Sequence, residues 1–201
     1  MTDAMTERQR LIKLLSERSV KTGRFTLASG KISDFYVDAR VTTMSPEGLA
    51  LVGPLAIQIF KSAGWELDAV GGLTLGADPI AYSISYASNL TPPLLRAFTI
   101  RKEAKTYGTS KLIEGAFQHG DRVVVVEDVI TTGQSALKAI DAVLAAGARI
   151  AGVFALVDRE EGGREAIEQA GYEVISVTRR RELIPLVLHS TSSEHPDSAV
   201  S

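Results

Sequence analysis

The chain has 201 residues, 45% of them apolar, and a formal net charge of −2, which suits one domain with a real core and gives no reason to expect a nucleic-acid or membrane partner. It contains no cysteine, which excludes disulfides, a thiol nucleophile and a cysteine-based zinc site, and suits the cytoplasm. No apolar run approaches the roughly 20 residues of a membrane span, and the opening MTDAMTERQR lacks the apolar core of a signal peptide.

Thr6–Ser19 sets Leu11, Ile12, Leu14 and Leu15 among charges and reads as an amphipathic helix. In Lys21–Arg40, Phe25 and Leu27 alternate, Ser29-Gly30 turns, and Phe35-Tyr36-Val37 resumes a strand, which makes a hairpin. It serves either as a hood near a site or as an ordinary edge hairpin. Ser45-Pro46 starts a helix that runs to about Ala63 and stops at Gly64, with Leu49, Val52, Leu55, Ala56, Ile59 and Phe60 as its buried face. Asp68–Val70 is a short strand, followed by the turn GGLTLGADP and a helix from about Pro79 to Ser88. Gly71, Gly72 and Gly76 in that turn let backbone N–H groups approach an anion, although such a turn is often mere geometry.

Pro92-Pro93 marks a loop and Leu94–Ile100 a strand. Beyond it, Arg101–Lys111 carries four cations against Glu103 with no helix or strand period. It is either a solvated loop or a cationic lid placed at a strand end, where α/β proteins bind ligands. Gln118–Asp121 is a turn, and His119 is expected to be a surface residue of it.

Arg122–Ser135, RVVVVEDVITTGQS, carries the most information. Val123–Val126 is apolar on both faces, as a strand buried in a parallel sheet requires, and is expected to end at Glu127-Asp128. Thr131–Ser135 then offers hydroxyls and unpaired N–H groups ahead of the helix SALKAIDAVLAAG, and the helix dipole adds to their attraction for an anion. Two acids beside a phosphate loop make sense for a ligand bearing a phosphate at one end and hydroxyls or a divalent ion next to it, as a sugar phosphate does. The loop has neither the Gly-Lys-Ser/Thr of a nucleotide P-loop nor the spaced glycines of a dinucleotide site.

Arg149–Val157 is a further strand, ending at Asp158-Arg159. A loop (160–163), a short helix (Arg164–Ala170) and a last strand (Tyr172–Val177) follow. Arg159 at a strand end either takes a carboxylate in bidentate fashion or pairs with Asp158 or Glu160. Arg179–Arg181 reads as a charged helix start that the site does not need, and His189–Ser201 as a disordered tail. The alternation implies an α/β fold, a parallel sheet with helices on both faces, in a single domain over 1–188. Loops 71–78, 101–111 and 127–135, together with Arg159, fall at strand ends around one crevice, with residues 5–40 as a small hood.

VVVVEDVITTGQS resembles the phosphoribosyl-pyrophosphate (PRPP) motif of type I phosphoribosyltransferases. Arg101–Gly108, RKEAKTYG, is similar to the mobile-loop motif of the orotate-specific branch, and the likeness spans roughly residues 5–188. The resemblance implies that fold, and transfer of phosphoribose from PRPP to orotate in pyrimidine synthesis. It implies Mg²⁺ carried on PRPP with no direct protein ligand, and a homodimer sharing its lid between subunits. It gives catalytic roles to Arg101, Lys102, Lys105 and Asp128. PRPP would be held by these with Tyr107, Glu127, Val129, Ile130, Thr131, Thr132, Gly133, Gln134 and Ser135. Orotate would meet Thr131 and Arg159, with Tyr36 and Val37 beside it. Ala28, Gly76 and Tyr107 stand where members of the family carry lysine, lysine and histidine. Other readings of the PRPP motif are transfer to a different base or a non-catalytic PRPP sensor.

Overall fold

The computed structural model describes residues 5–26, 32–103 and 112–192. A two-stranded antiparallel hairpin, β1 (Val20–Thr26) and β2 (Ile32–Val37), stands apart from a six-stranded sheet. The sheet contains β3 (Ala69–Leu73), β4 (Arg96–Ile100), β5 (Ile113–Gly115), β6 (Arg122–Ile130), β7 (Arg149–Asp158) and β8 (Val174–Arg179), in the order β5-β4-β3-β6-β7-β8. All neighbours are parallel except β5, which runs antiparallel to β4.

Helices cover both faces, as a parallel sheet requires. On one side α1 (Glu7–Arg18), α3 (Pro46–Ser62), α4 (Ala77–Leu90) and α7 (Arg180–Ser192) pack on Val124, Val126, Phe154 and Leu156. On the other, α5 (Gln134–Ala145) and α6 (Gly163–Gln169) cover Val123, Val125, Val153 and Ala155. The short α2 (Arg40–Thr43) links the hairpin to α3.

The local signals act as read. Thr6 and Gln9 form a capping box on α1. Ser45 caps α3 by accepting from the Gly48 N–H at 3.1 Å, with Pro46 in the first turn.

Several boundaries differ from the sequence reading. β3 runs through Gly71 and Gly72, so both lie within the sheet: a Cβ on Gly71 would meet Phe98, and one on Gly72 the Val126 carbonyl and Ala77. β6 does not stop at the acids. It continues to Ile130 because Glu127 and Val129 stay paired with Ala155 and Val157 of β7. Leu49 of α3 is exposed, whereas Leu51 and Ile57 are buried, since α3 packs against α1 as well as α4. β5 had no counterpart in the sequence reading, being three residues with a partner only in β4. α7 continues through residues 189–192 of the expected tail.

Candidate functional site

At the carboxyl ends of β3, β4, β6 and β7, under the hairpin, lies a cavity of about 330 Å³. Tyr36, Val37, Asp38 and Arg40 come from the hairpin and its exit, Leu73–Gly76 from the end of β3, and Lys102 from the end of β4. Glu127–Val129, Thr131 and Ser135 come from β6 and its loop, and Arg159 from the end of β7. Two other recesses, about 430 Å³ beside β5 and α5 and about 510 Å³ beside β8 and α7, bring together neither the acids nor the hydroxyl loop.

Consecutive strand residues point to opposite faces, and β6 uses this to split its acids. Glu127 turns toward the loop, sharing a small crevice with Thr131, Gly133, Ser135 and Ala136. Asp128 turns toward α4, where its carboxylate lies so close to Gly76 that a Cβ there would fall 2.5 Å from Oδ1. Glu127 is 7% exposed, and its Oε1 has no hydrogen-bond partner among the described residues. Burial, with the Asp128 charge adding to it, pushes its pKa up to about 8. Burial also raises the pKa of Asp128, opposed by the Val129 N–H that its Oδ1 accepts at 2.9 Å and by the charge of Arg40.

The hydroxyl loop ends at Gly133, whose φ of +77° admits the sharp entry into α5. Among the described residues no side chain caps the first turn of α5, so its N–H groups are open to an anion. A Cβ on Gly133 would sit 2.6 Å from the Gly163 carbonyl, so α6 presses on this loop from behind.

Arg159 is 6% exposed and pairs with Glu161 at 2.6 Å, rather than with Asp158 or Glu160. Asp158 is taken by Arg164 at 2.8 Å and by the Glu160 N–H. The Arg159 guanidinium also lies 3.4 Å from Ser33 Oγ and the Phe35 carbonyl of β2, and its buried Nε has no partner among the described residues. The next cations brace the hairpin rather than line the cavity: Arg180 lies over the Phe35 ring and pairs with Asp34 at 2.7 Å, and Arg181 pairs with Glu160.

Of the residues singled out from sequence, the cavity brings together Lys102, Glu127, Asp128, Val129, Thr131, Ser135 and Arg159, with Tyr36 and Val37. Gly133 lies in the adjoining crevice, and Thr132 and Gln134 are exposed on the loop. Ile130 turns its side chain into the core, gives its carbonyl to the Arg159 N–H at 3.0 Å, and also lines the adjoining crevice. Arg101 does not join them; its guanidinium lies 4.0 Å from Glu114. Lys105, Tyr107 and Ala28 lie outside the described residues.

The sequence reading missed Asp38 and Arg40, joined by two hydrogen bonds of 2.8 and 2.9 Å in the cavity wall. The signal was an acid and a base two apart at the exit of a strand already read as part of a hood. It also missed Asp78, which fixes the β3 turn by accepting from Thr74 and Thr99 at 2.6 and 2.8 Å.

The profile of the phosphoribosyl transferase domain matches residues 43–179. Orotate phosphoribosyltransferase of Aquifex aeolicus is 46% identical over 183 residues, covering 90% of this chain and 99% of its own. The chain belongs to the orotate phosphoribosyltransferase family. The Mycobacterium avium member is 46% identical over 174 residues, 87% of this chain and 94% of the relative. Among solved structures, Mycobacterium tuberculosis orotate phosphoribosyltransferase with Fe(III) dicitrate superposes with a TM-score of 0.78 at 44% identity, over 89% of this chain and 99% of that one. The same enzyme in complex with PRPP gives 0.75 at 40% identity, over 89% and 99%. The family's parallel sheet is the fold described above.

Proposed function

We propose that the chain transfers the 5-phosphoribosyl group of PRPP to orotate, releasing orotidine 5′-monophosphate and pyrophosphate, as a cytoplasmic step of pyrimidine nucleotide synthesis. One observation carries the reading beyond family membership. Two buried polar atoms of residues lining the cavity, Glu127 Oε1 and Arg159 Nε, have no partner among the described residues. Buried polar groups are left without partners at a cost, and a ligand that meets both removes it.

In this reading the loop Thr131–Ser135 and the uncapped first turn of α5 take the 5′-phosphate. Glu127 and Asp128 face the ribose hydroxyls. With a pKa of about 8, Glu127 is largely neutral at pH 7, so the acidic pair repels an anionic donor less than two full charges would. As orotate N1 approaches C1 and the bond to the diphosphate breaks, positive charge grows on the ribose ring. Asp128 stabilises that charge, and no covalent enzyme intermediate is needed.

Arg159 takes the orotate carboxylate through the edge that Glu161 leaves free, with Thr131 and Tyr36 beside the ring. Lys102, and beyond it Lys105 and Tyr107, meet the leaving diphosphate. Among the described residues no three His, Cys, Asp or Glu side chains gather into a metal cage. If Mg²⁺ is carried by PRPP, Glu127 and Asp128 are the carboxylates of this cavity that would face it. When bound, the ion neutralises charge on the departing diphosphate.

The working unit is a homodimer. An apolar groove on α3 and α4, lined by Pro46, Leu49, Ala50, Tyr82 and Tyr86, supports this, with Tyr82 and Tyr86 strongly exposed. Arg101, set beside Glu114 and away from its own cavity, fits a lid that serves the neighbouring subunit.

Incubating the full chain with PRPP, Mg²⁺ and a panel of bases tests the reading. Orotidine 5′-monophosphate should form from orotate, with no turnover of uracil or adenine. Turnover of another base in preference, or PRPP binding without turnover of any base, would overturn it.

A further inference from the structure

We propose that Arg40 is a side-chain ligand of the diphosphate and that Asp38 is its latch, holding the guanidinium in the empty cleft and yielding it when the phosphates arrive. The inference rests on PRPP being the donor and assigns a residue to the diphosphate end of the same site.

Among the described residues three cations line the cavity: Arg40, Lys102 and Arg159. Arg159 is buried on the hairpin side and held by Glu161. Lys102 stands just past the end of β4. Arg40 stands on the wall at the start of α2, its side chain 45% exposed and joined to Asp38 in a two-pronged pair.

Its place in the cavity is set by Asp128. The Asp128 carboxylate abuts Gly76 on one side and feels the charge of Arg40 on another. The Thr74–Gly76 turn, Asp128 and Arg40 line the same cavity, with Asp128 between the charge of Arg40 and the backbone of Gly76. Asp128 faces the ribose hydroxyls, so this part of the cavity lies where the C1 substituent of the ribose must go. The turn itself brings no cation, and any side chain at position 76 would collide with Asp128 as it stands.

An exposed pair of this kind adds little to stability. It does hold a planar, always-charged fork inside a cleft without leaving it bare. A diphosphate matches that fork at two oxygens and carries more charge than one carboxylate, so it competes for the guanidinium. Asp38 has a second task that survives the exchange: its Oδ1 accepts from the Arg40 N–H at 3.2 Å and so pins the start of α2. The anchor stays in place while the arm moves.

Titration calorimetry of inorganic pyrophosphate with Mg²⁺ into the full chain tests this without requiring turnover. Arg40→Gln should weaken pyrophosphate binding about tenfold while leaving the melting temperature and the KM for orotate unchanged. Asp38→Asn should tighten pyrophosphate about threefold, and that gain should vanish in the Arg40→Gln/Asp38→Asn double variant. Wild-type affinity in Arg40→Gln would overturn the proposal. So would an equal gain from Asp38→Asn with or without Arg40, which would mean a general effect of cleft charge. A fall in melting temperature with every ligand weakened alike would make the pair a brace and overturn it too. Failure of the wild-type chain to make orotidine 5′-monophosphate would instead sink the donor reading, and the pyrophosphate titration would still decide the role of Arg40.

Discussion

Two strand ends meet at the cavity, and they are built on opposite plans. The end of β3 supplies space: Gly71 and Gly72 are small because Phe98, Val126 and Ala77 leave no room, and Gly76 because Asp128 fills the gap. The end of β6 supplies functional groups: two acids, a hydroxyl loop and an uncapped helix start. The first reads as a phosphate cradle in sequence; Gly71 and Gly72 lie within the sheet, while Leu73–Gly76 line the cavity beside the second. A glycine-rich turn reports close approach and leaves open what approaches.

The largest effect should come from the β6 side. Asp128→Asn keeps the shape and removes the charge, so kcat should fall about 10³-fold, roughly 4 kcal/mol of transition-state stabilisation. Its melting temperature should hold or rise, because burial already disfavours the ionised form. Unfolding of the variant would instead make Asp128 a structural group.

The β3 glycines separate next. Gly72→Ala drives a methyl into backbone and should cost about 3 kcal/mol, a melting shift of roughly 6–12 °C, with the folded fraction still active. Gly76→Ala meets only a carboxylate, which can rotate, so it should melt near wild type yet lose about thirtyfold in kcat, or roughly 2 kcal/mol, as Asp128 is displaced. Identical behaviour of the two alanine variants in melting and turnover assays would erase the distinction between sheet and site.

The smallest effect is one of pH. Glu127 has a folded pKa of about 8 against an ordinary 4.5, so the folded chain holds a proton that the unfolded chain has released. Stability of the ligand-free protein should be full below pH 4.5, decline between 4.5 and 8 and level off above, with Glu127→Gln removing the slope. The difference should reach roughly 1–2 kcal/mol, less than the whole shift implies, since water reaches the cavity. Denaturant melts of the variant and wild type at pH 5, 7 and 9 would show it, and parallel curves would contradict it.

Much of this was legible because it is local. The four valines of β6, the Ser45-Pro46 helix start and the Thr131–Ser135 loop each state their structure within a few residues. What was hidden depends on partners distant in sequence. Nothing near Glu127 says that β7 will hold it in a strand, and nothing near Arg159 says that Arg164 will claim Asp158 and leave Glu161 as its mate. Gly71 and Gly72 could be sorted from Gly76 only by knowing which neighbours stand against each. Asp38 and Arg40 went unnoticed because an acid and a base two apart look like ordinary surface until a cavity opens beside them.

The hairpin beside the cavity, at the end proposed for the base, is fastened to α7 through Arg180 on Phe35 and Asp34, and α7 in turn rests on α1. The last helix among the described residues thus acts as a strut for the hairpin, 146 positions upstream. Trimming or fusing a partner to the carboxyl end would reach the pocket mechanically, loosening its roof while leaving every phosphate contact in place. Base selectivity would then erode before donor affinity did.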